Sequence, residues 1–305
     1  HDLAAAYHRM PVDQLLSARD TPNDVGTTLS TPAERTRRDA SDVLTASFKR
    51  LPEALRTIEE YAKTFDPRAA AAVESIRYRT YDLEQRIVLR SPRSARFAQV
   101  RLYVLITQSL CRNDWRQTAL DAIAGGAGCH QLREKELEDG LLLERARDLT
   151  GLCRERGALC IVNDRPDIAV LADADGVHLG QTDLSVADAR RIVGPEKLIG
   201  LSTHAPEQFR AALELQPDYL AVGPMFPSTT KPREHVPGTD LLNLALSETE
   251  IPVVAVGGIT SKNLPSLAAL GVRCVAACSS VIAAADVCGA CRRLIEQTSA
   301  SPTAR

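Results

Sequence analysis

The hydrophobic pattern divides the chain in two. Over the first ~90 residues, apolar positions recur at helical spacing. Val43, Leu44, Phe48, Leu51, Leu55, Ile58, Ala62 and Phe65 form one stripe, and Val73, Ile76, Thr80, Leu83 and Ile87 a second. Lys49, Arg50, Glu53, Arg56, Glu60 and Lys63 occupy the other faces of the first helix. Thr31-Pro32-Ala33-Glu34 reads as a capped helix start, and Asp66-Pro67 as the next one. Pro52 is expected to kink or divide the helix that contains it. Ser91–Ala98, polar and Arg-rich, reads as a linker.

From Arg101 onward the period changes. Short apolar runs alternate with amphipathic stretches. The predicted strands are Leu102–Ile106, Cys129–Leu132, Leu159–Val162, Gly176–His178, Leu198–Leu201, Tyr219–Val222, Val253–Val256 and Val272–Ala276. Helices are predicted over Leu141–Glu155, Val186–Val193, Pro206–Leu215 and Asn263–Leu270, with another near the C-terminus. Eight strand–helix units in about 200 residues are the repeat of a (β/α)8 TIM barrel. The predicted fold is therefore α/β: a small all-α domain at 1–90, a linker at 91–99, a barrel at 100–297 and a tail at 298–305. A doubly wound open sheet fits less well, because Thr107-Gln108-Ser109 stands where a glycine-rich dinucleotide turn would follow the first strand.

Composition adds exclusions. The net charge is −2 with both signs dispersed, so no basic footprint for nucleic acid is present. No apolar run approaches the ~20 residues of a membrane span, and no secretory signal is visible. Of the eight cysteines, most lie in apolar segments and read as small hydrophobes. Cys288-Gly289-Ala290-Cys291 has redox-motif spacing but falls in a predicted helix without a second Cys pair of that kind. A cytoplasmic location is expected.

The chemistry is concentrated just past the strand ends, where barrel active sites lie. Val162-Asn163-Asp164-Arg165 and Gly180-Gln181-Thr182-Asp183 each supply a carboxylate, and two such groups suit Mg²⁺ holding a substrate phosphate. The plainer reading is that Asp164 and Asp183 are helix caps. Gln131 can read a heterocycle edge. Arg133 and Lys135, alternating with Leu132 and Glu134, put two cations on one side, as a diphosphate requires. Ser202-Thr203-His204 follows the fifth strand. The long loop Gly223–Lys231 carries three hydroxyls and Lys231, and reads as a flap closing over an anion. Gly257-Gly258 and Cys278-Ser279 offer backbone N–H groups to a monophosphate. One station suits a diphosphate and the other a monophosphate, with Gln131 between them. This describes transfer of a carbon group from a diphosphate ester to a phosphate-bearing acceptor.

These segments, QLREK (Gln131–Lys135), VNDR (Val162–Arg165), ADGVHLGQTDL (Ala174–Leu184), GLSTH (Gly200–His204), GPMFPSTTK (Gly223–Lys231) and VGGI (Val256–Ile259), together resemble the thiamine phosphate synthase family over nearly all of residues 100–297. The resemblance implies a transferase that joins hydroxymethylpyrimidine diphosphate and thiazole phosphate, with loss of pyrophosphate from a stabilised pyrimidine cation. It implies that Asp164 and Asp183 bind Mg²⁺. Arg133, Lys135, Asn163 and Lys231 would hold the diphosphate. Gln131 would face the pyrimidine with Ser202 close by. Ser228 and Thr230 would contact the thiazole phosphate side, and Gly257, Gly258, Cys278 and Ser279 its phosphate. Lys231, Ser202, Arg133 and Lys135 are the catalytic candidates. The sequence departs from the family at Ser228, where Thr is common, at His130, where an aliphatic residue is usual, and in the wording of Cys278-Ser279-Ser280.

The first 90 residues resemble a helical domain fused to this synthase in some bacteria and associated with hydroxymethylpyrimidine phosphate kinase activity. ARDTPNDVGT (Ala18–Thr27), SFKRLPEALRTIEEYAK (Ser47–Lys63) and RYRTYDLE (Arg77–Glu84) carry that likeness. The family domain has two related halves, of which only the second is expected to be complete here. Arg19, Asp20, Asp24 and Thr27 are its candidate phosphate residues. Three other readings remain at this stage. The barrel is a relative that has lost the transfer (a thiazole tautomerase or a thiamine-precursor sensor), an unrelated phosphate-binding barrel, or a synthase whose helical module serves only oligomerisation or docking. The sequence leaves oligomeric state open, and the partners it implies are small molecules.

Overall fold

A computed structural model describes residue 36, residues 40–227 and residues 236–299. The chain forms two compact units, His1–Leu89 and Arg90–Arg305. The helix start at Thr31–Glu34, the candidates Arg19, Asp20, Asp24 and Thr27, and the tail after residue 299 lie outside the described residues.

In the first unit, helix α1 (Ala40–Ala62) and the start of α2 (Pro67–Ala98) carry the two predicted stripes. Pro52 lies inside α1 without dividing it. Asp66 begins α2 as expected, its Oδ1 accepting from the N–H groups of Arg68 and Ala69 at 2.9 and 3.2 Å. Leu55 and Val73 are buried against each other, with Ile58 and Ile76 beside them. Ala62, Ala69 and Ala70 form a small-residue contact where the chain turns. The stripes are only partly buried: Phe48 is covered, while Val43, Leu44, Leu51, Phe65 and Leu83 are exposed. Arg77 donates from Nε to Glu59 at 2.9 Å, both side chains nearly fully covered. The segment read as a linker is helical instead, because α2 continues through Arg96 to Ala98.

The second unit is a closed barrel of eight parallel strands in sequence order. They are β1 (Leu102–Ile106), β2 (Cys129–Leu132), β3 (Leu159–Asn163), β4 (Gly176–Leu179), β5 (Leu198–Thr203), β6 (Tyr219–Val222), β7 (Val253–Val256) and β8 (Cys274–Ala277). The helices after them are α3 (Trp115–Ala124), α4 (Asp139–Glu155), α5 (Pro166–Leu171), α6 (Val186–Val193), α7 (Pro206–Leu215), α8 (Gly238–Glu248), α9 (Leu264–Ala268), α10 (Ser279–Ile282) and α11 (Val287–Ser299). Alternation along each strand sorts side chains between two cores. Val104, Ile106, Leu132, Val162, Val177 and Ile199 face the helices. Tyr103, Cys129, Ile161, Leu198, Tyr219, Val254 and Cys274 fill the lumen, with Phe97 among them.

Two strands continue through polar residues beyond their predicted apolar ends. Asn163 pairs with His178, and Ser202 and Thr203 pair with Ala221 and Val222. Ladder hydrogen bonding thus carries Asn163 and Ser202 on rigid strand ends rather than on loops. The lumen is tight at Gly200, where an added Cβ would lie 2.0 Å from Cζ of Tyr219. All eight cysteines are free, and Cys288 and Cys291 both lie on α11.

Candidate active site

A cavity of about 370 Å³ opens at the C-terminal end of the strands. Gln131, Arg133, Asn163 and Ser202 line it on one side, and Gly257, Gly258, Cys278 and Ser279 on another. These eight are predicted site residues, and the topology brings them together. Apolar wall is supplied by Leu105, Val254, Val256 and Ile259. A mostly apolar pocket with a few convergent polar groups is the usual form of a small-molecule site.

The β2–α4 loop is held in place from both neighbours. Thr107 donates from Oγ1 to the Arg133 carbonyl at 2.8 Å. Glu134 accepts from the Gln108 N–H at 2.8 Å and pairs with Arg145 on α4. Glu134 therefore turns outward, while Arg133 turns into the cavity, as the alternation predicts.

Lys135, Asp164 and Asp183 form a charged cluster beside the cavity. Lys135 Nζ lies 3.1 Å from Asp164 Oδ2. Asp183 accepts from the Gly180 N–H at 2.6 Å. Its carboxyl is held above the ordinary range, first by burial and then by contact with Asp164. The capping alternative fails for both residues. The N-cap residue of α5 is Arg165, which makes no side-chain cap bond, and α6 is capped by Ser185. Asp164 has φ +63°, a left-handed conformation that Asp and Asn tolerate better than other non-glycine residues.

The described part of the β6–α8 loop is stitched to β7. The N–H of Met225 donates to Val256 O at 2.9 Å and that of Phe226 to Gly257 O at 3.1 Å. Gly258 has φ +64°, and a Cβ there would lie 2.6 Å from the Pro227 carbonyl. Gly258→Ala is expected to destabilise the barrel by about 1–2 kcal/mol from the backbone alone. Urea unfolding of the variant, with an unchanged midpoint as the contrary result, checks this. Ser228, Thr230 and Lys231, and with them the predicted flap, lie outside the described residues.

Burial pushes the Cys278 thiol up to about 11, so this group is protonated at neutral pH. Sequence reasoning missed Tyr103 and Tyr219, read only as strand residues, and assigned no role to His178. All three are buried polar groups in the lumen, linked by hydrogen bonds to Gln131 and Ser202. The available signal was a polar or aromatic residue at an inward position of otherwise apolar strands. No described helix is long and apolar enough to cross a membrane.

The family model described as thiamine monophosphate synthase matches residues 102–281, and the ThiD2 family model matches residues 1–86. A thiamine-phosphate synthase of Synechocystis is 40% identical over 295 residues, covering 97% of this chain and 84% of the relative. One of Rhodopirellula baltica is 40% identical over 285 residues, covering 90% and 76%. Among solved structures, a thiamine phosphate pyrophosphorylase from Pyrococcus furiosus superposes with a TM-score of 0.62 at 33% identity, covering 67% of this chain and 98% of that one. The predicted motifs, the closed barrel that gathers them and the length of these matches agree, and the chain belongs to the thiamine monophosphate synthase family of transferases.

Proposed function

We propose that the cavity binds hydroxymethylpyrimidine diphosphate and thiazole phosphate together, and that the residues around it serve a dissociative substitution. The observation that carries this reading is the convergence of an amide, a guanidinium and a strand-end hydroxyl (Gln131, Arg133, Ser202) on one wall, next to the Lys135–Asp164–Asp183 cluster. The C–O bond to the diphosphate breaks with its electron pair on the leaving oxygen. The thiazole nitrogen then supplies the pair for the new C–N bond. No base is needed at the carbon, so the protein's work is to hold charge and position.

Asp164 and Asp183 are the candidate ligands of Mg²⁺. The donor set fits: two adjoining carboxylates offer hard oxygen atoms, and Asp183, raised first by burial and then by its contact with Asp164, would be favoured in its charged form by a cation there. The described residues contain no group of three or more such ligands, so water and substrate phosphate would have to complete the ion's coordination. Bound there, Mg²⁺ would neutralise charge on the departing diphosphate. Arg133, Lys135 and Asn163 grip the same group, with Lys231 assigned to it from the sequence. Gln131 faces the pyrimidine and Ser202 lies close to it. Gly257, Gly258, Cys278 and Ser279 hold the thiazole phosphate, with Ser228 and Thr230 on that side. The helical unit is assigned a relationship to hydroxymethylpyrimidine phosphate kinase.

The test is thiamine phosphate formation by the purified chain from the two substrates with and without Mg²⁺. Metal-dependent product is expected. A folded protein that binds thiazole phosphate but makes no product would favour the tautomerase or sensor reading.

A further inference from the structure

At the cavity floor, five side chains from five strands form one continuous hydrogen-bonded chain, and all but Tyr219 line the cavity. Gln131 on β2 donates from Nε2 to Tyr103 Oη on β1 at 2.9 Å. Tyr103 Oη lies 3.0 Å from Tyr219 Oη on β6. Tyr219 Oη lies 3.0 Å from His178 Nδ1 on β4. His178 Nε2 lies 2.8 Å from Ser202 Oγ on β5. Both ends, Gln131 and Ser202, are on the cavity wall.

The donor count gives the chain a direction. Gln131 spends an N–H on Tyr103, so the Tyr103 hydroxyl passes its own proton to Tyr219. Tyr219 then donates to His178 Nδ1. A neutral imidazole that accepts at one nitrogen donates at the other. His178 therefore carries its proton on Nε2 and gives that bond to Ser202. The Ser202 hydroxyl hydrogen is left for the cavity. At the other end, Gln131 keeps its carbonyl oxygen and second N–H for a ligand.

The middle of the chain is built to stay in place. Phe97 stacks on Tyr219 at 4.0 Å between ring centroids, and Tyr103 meets Tyr219 edge-on. Gly200 leaves 2.4 Å between an imagined Cβ and Tyr219 Oη, so only glycine admits the hydroxyl there. Burial keeps both phenols protonated far above neutral pH.

We propose that Tyr103, Tyr219 and His178 are positioning residues, a one-way hydrogen-bond chain that makes Ser202 a fixed hydroxyl donor and faces the Gln131 amide correctly for the pyrimidine. The inference rests on the reading that Gln131 and Ser202 meet the pyrimidine diphosphate, whose ring nitrogens and ester oxygens are acceptors for such a donor.

The first test needs no variant. ¹⁵N NMR of the histidines in the wild type should show His178 neutral with Nδ1 bare and Nε2 protonated. The opposite tautomer would mean that the chain runs backwards and would overturn the proposal. The second test is kinetic. Tyr219→Phe keeps the ring and removes the central hydroxyl, and Tyr103→Phe cuts the chain one link earlier, should the first variant not fold. Either is expected to lower kcat/KM for the pyrimidine diphosphate about tenfold or more, with KM for thiazole phosphate unchanged. Combined with Ser202→Ala, Tyr219→Phe should lose most of its own effect, as expected of residues that act in series. Full additivity, or unchanged kinetics in both Phe variants, would overturn the proposal. If Gln131→Ala and Ser202→Ala themselves leave kcat/KM intact, the failure lies in the placement of the pyrimidine and not in the chain.

Discussion

Asp164→Asn is expected to lower kcat/KM for thiamine phosphate formation by about 10³-fold, on the order of the several kcal/mol of charge stabilisation that a Lewis-acid site supplies. Asparagine is the informative replacement because Asp164 sits at φ +63°. Asn shares the tolerance for that conformation, so the variant removes the negative charge and leaves the β3 end in shape. The Asp164 N–H bond to the His178 carbonyl, 2.8 Å, is retained as well. Asp164→Ala would add left-handed strain of about 1–2 kcal/mol and confuse loss of charge with loss of structure. The Asn variant also releases Lys135 from its 3.1 Å ion pair. It should therefore need a higher Mg²⁺ concentration for half-maximal rate, while thiazole phosphate still binds with wild-type affinity by calorimetry. A rate within threefold of wild type at saturating Mg²⁺ would remove Asp164 from the metal site.

The barrel was legible because its strands are buried on both faces. A strand such as Leu159–Val162, apolar throughout, can only lie between a lumen and a helix layer, and short runs of that kind separated by amphipathic stretches leave few topologies. The strand ends were less legible. Asn163 and Ser202 are polar, which ends an apolar run in sequence, yet ladder pairing with His178 and Ala221 carries both strands through them. Burial pattern reports what a residue packs against, while strand length is decided by backbone hydrogen bonds that polar residues make equally well. The Arg-rich segment before β1 shows the same limit from the other side. Its composition suggests a linker, but arginine is a good helix former, and nothing in Arg90–Ala98 except Pro92 opposes continuation of α2.

The candidate site was legible where charge alternates with apolar residues, as at Arg133 and Lys135, and where a carboxylate follows a strand. It was not legible in the lumen. Tyr103 and Tyr219 are separated by 116 positions, and only closure of the barrel brings their hydroxyls together. Each looks like an ordinary core aromatic in its own strand. The helical unit is the weakest case. The buried Arg77–Glu59 pair could not be read from two helix stripes, because each residue falls among other charges of a polar face.

His130→Leu is expected to stabilise the barrel, and by more as the pH falls. His130 lies on β2 between the inward Cys129 and Gln131, so it faces the helix layer with Leu132. It is fully covered, and neither ring nitrogen has a hydrogen-bond partner among the described residues. An unsatisfied buried polar group costs about 1–3 kcal/mol, which an aliphatic side chain at this position avoids. Burial also lowers the imidazole pKa to about 4, against 6.5 for an exposed group. Between those values the unfolded chain binds a proton that the folded chain refuses. Wild-type stability is therefore intact above the unfolded value and declines as the pH falls toward the folded one. The linkage is worth roughly 2 kcal/mol near pH 5 and approaches about 3 kcal/mol near pH 4. Other acid-sensitive groups are common to both proteins and cancel in the difference. Urea unfolding of wild type and His130→Leu near pH 7.5 and pH 5 measures it. The gap between the two should widen by roughly 2 kcal/mol at the lower pH. A gap that stays constant would mean that the imidazole is protonated in the folded protein and that its apparent isolation is relieved by a partner, such as a buried water.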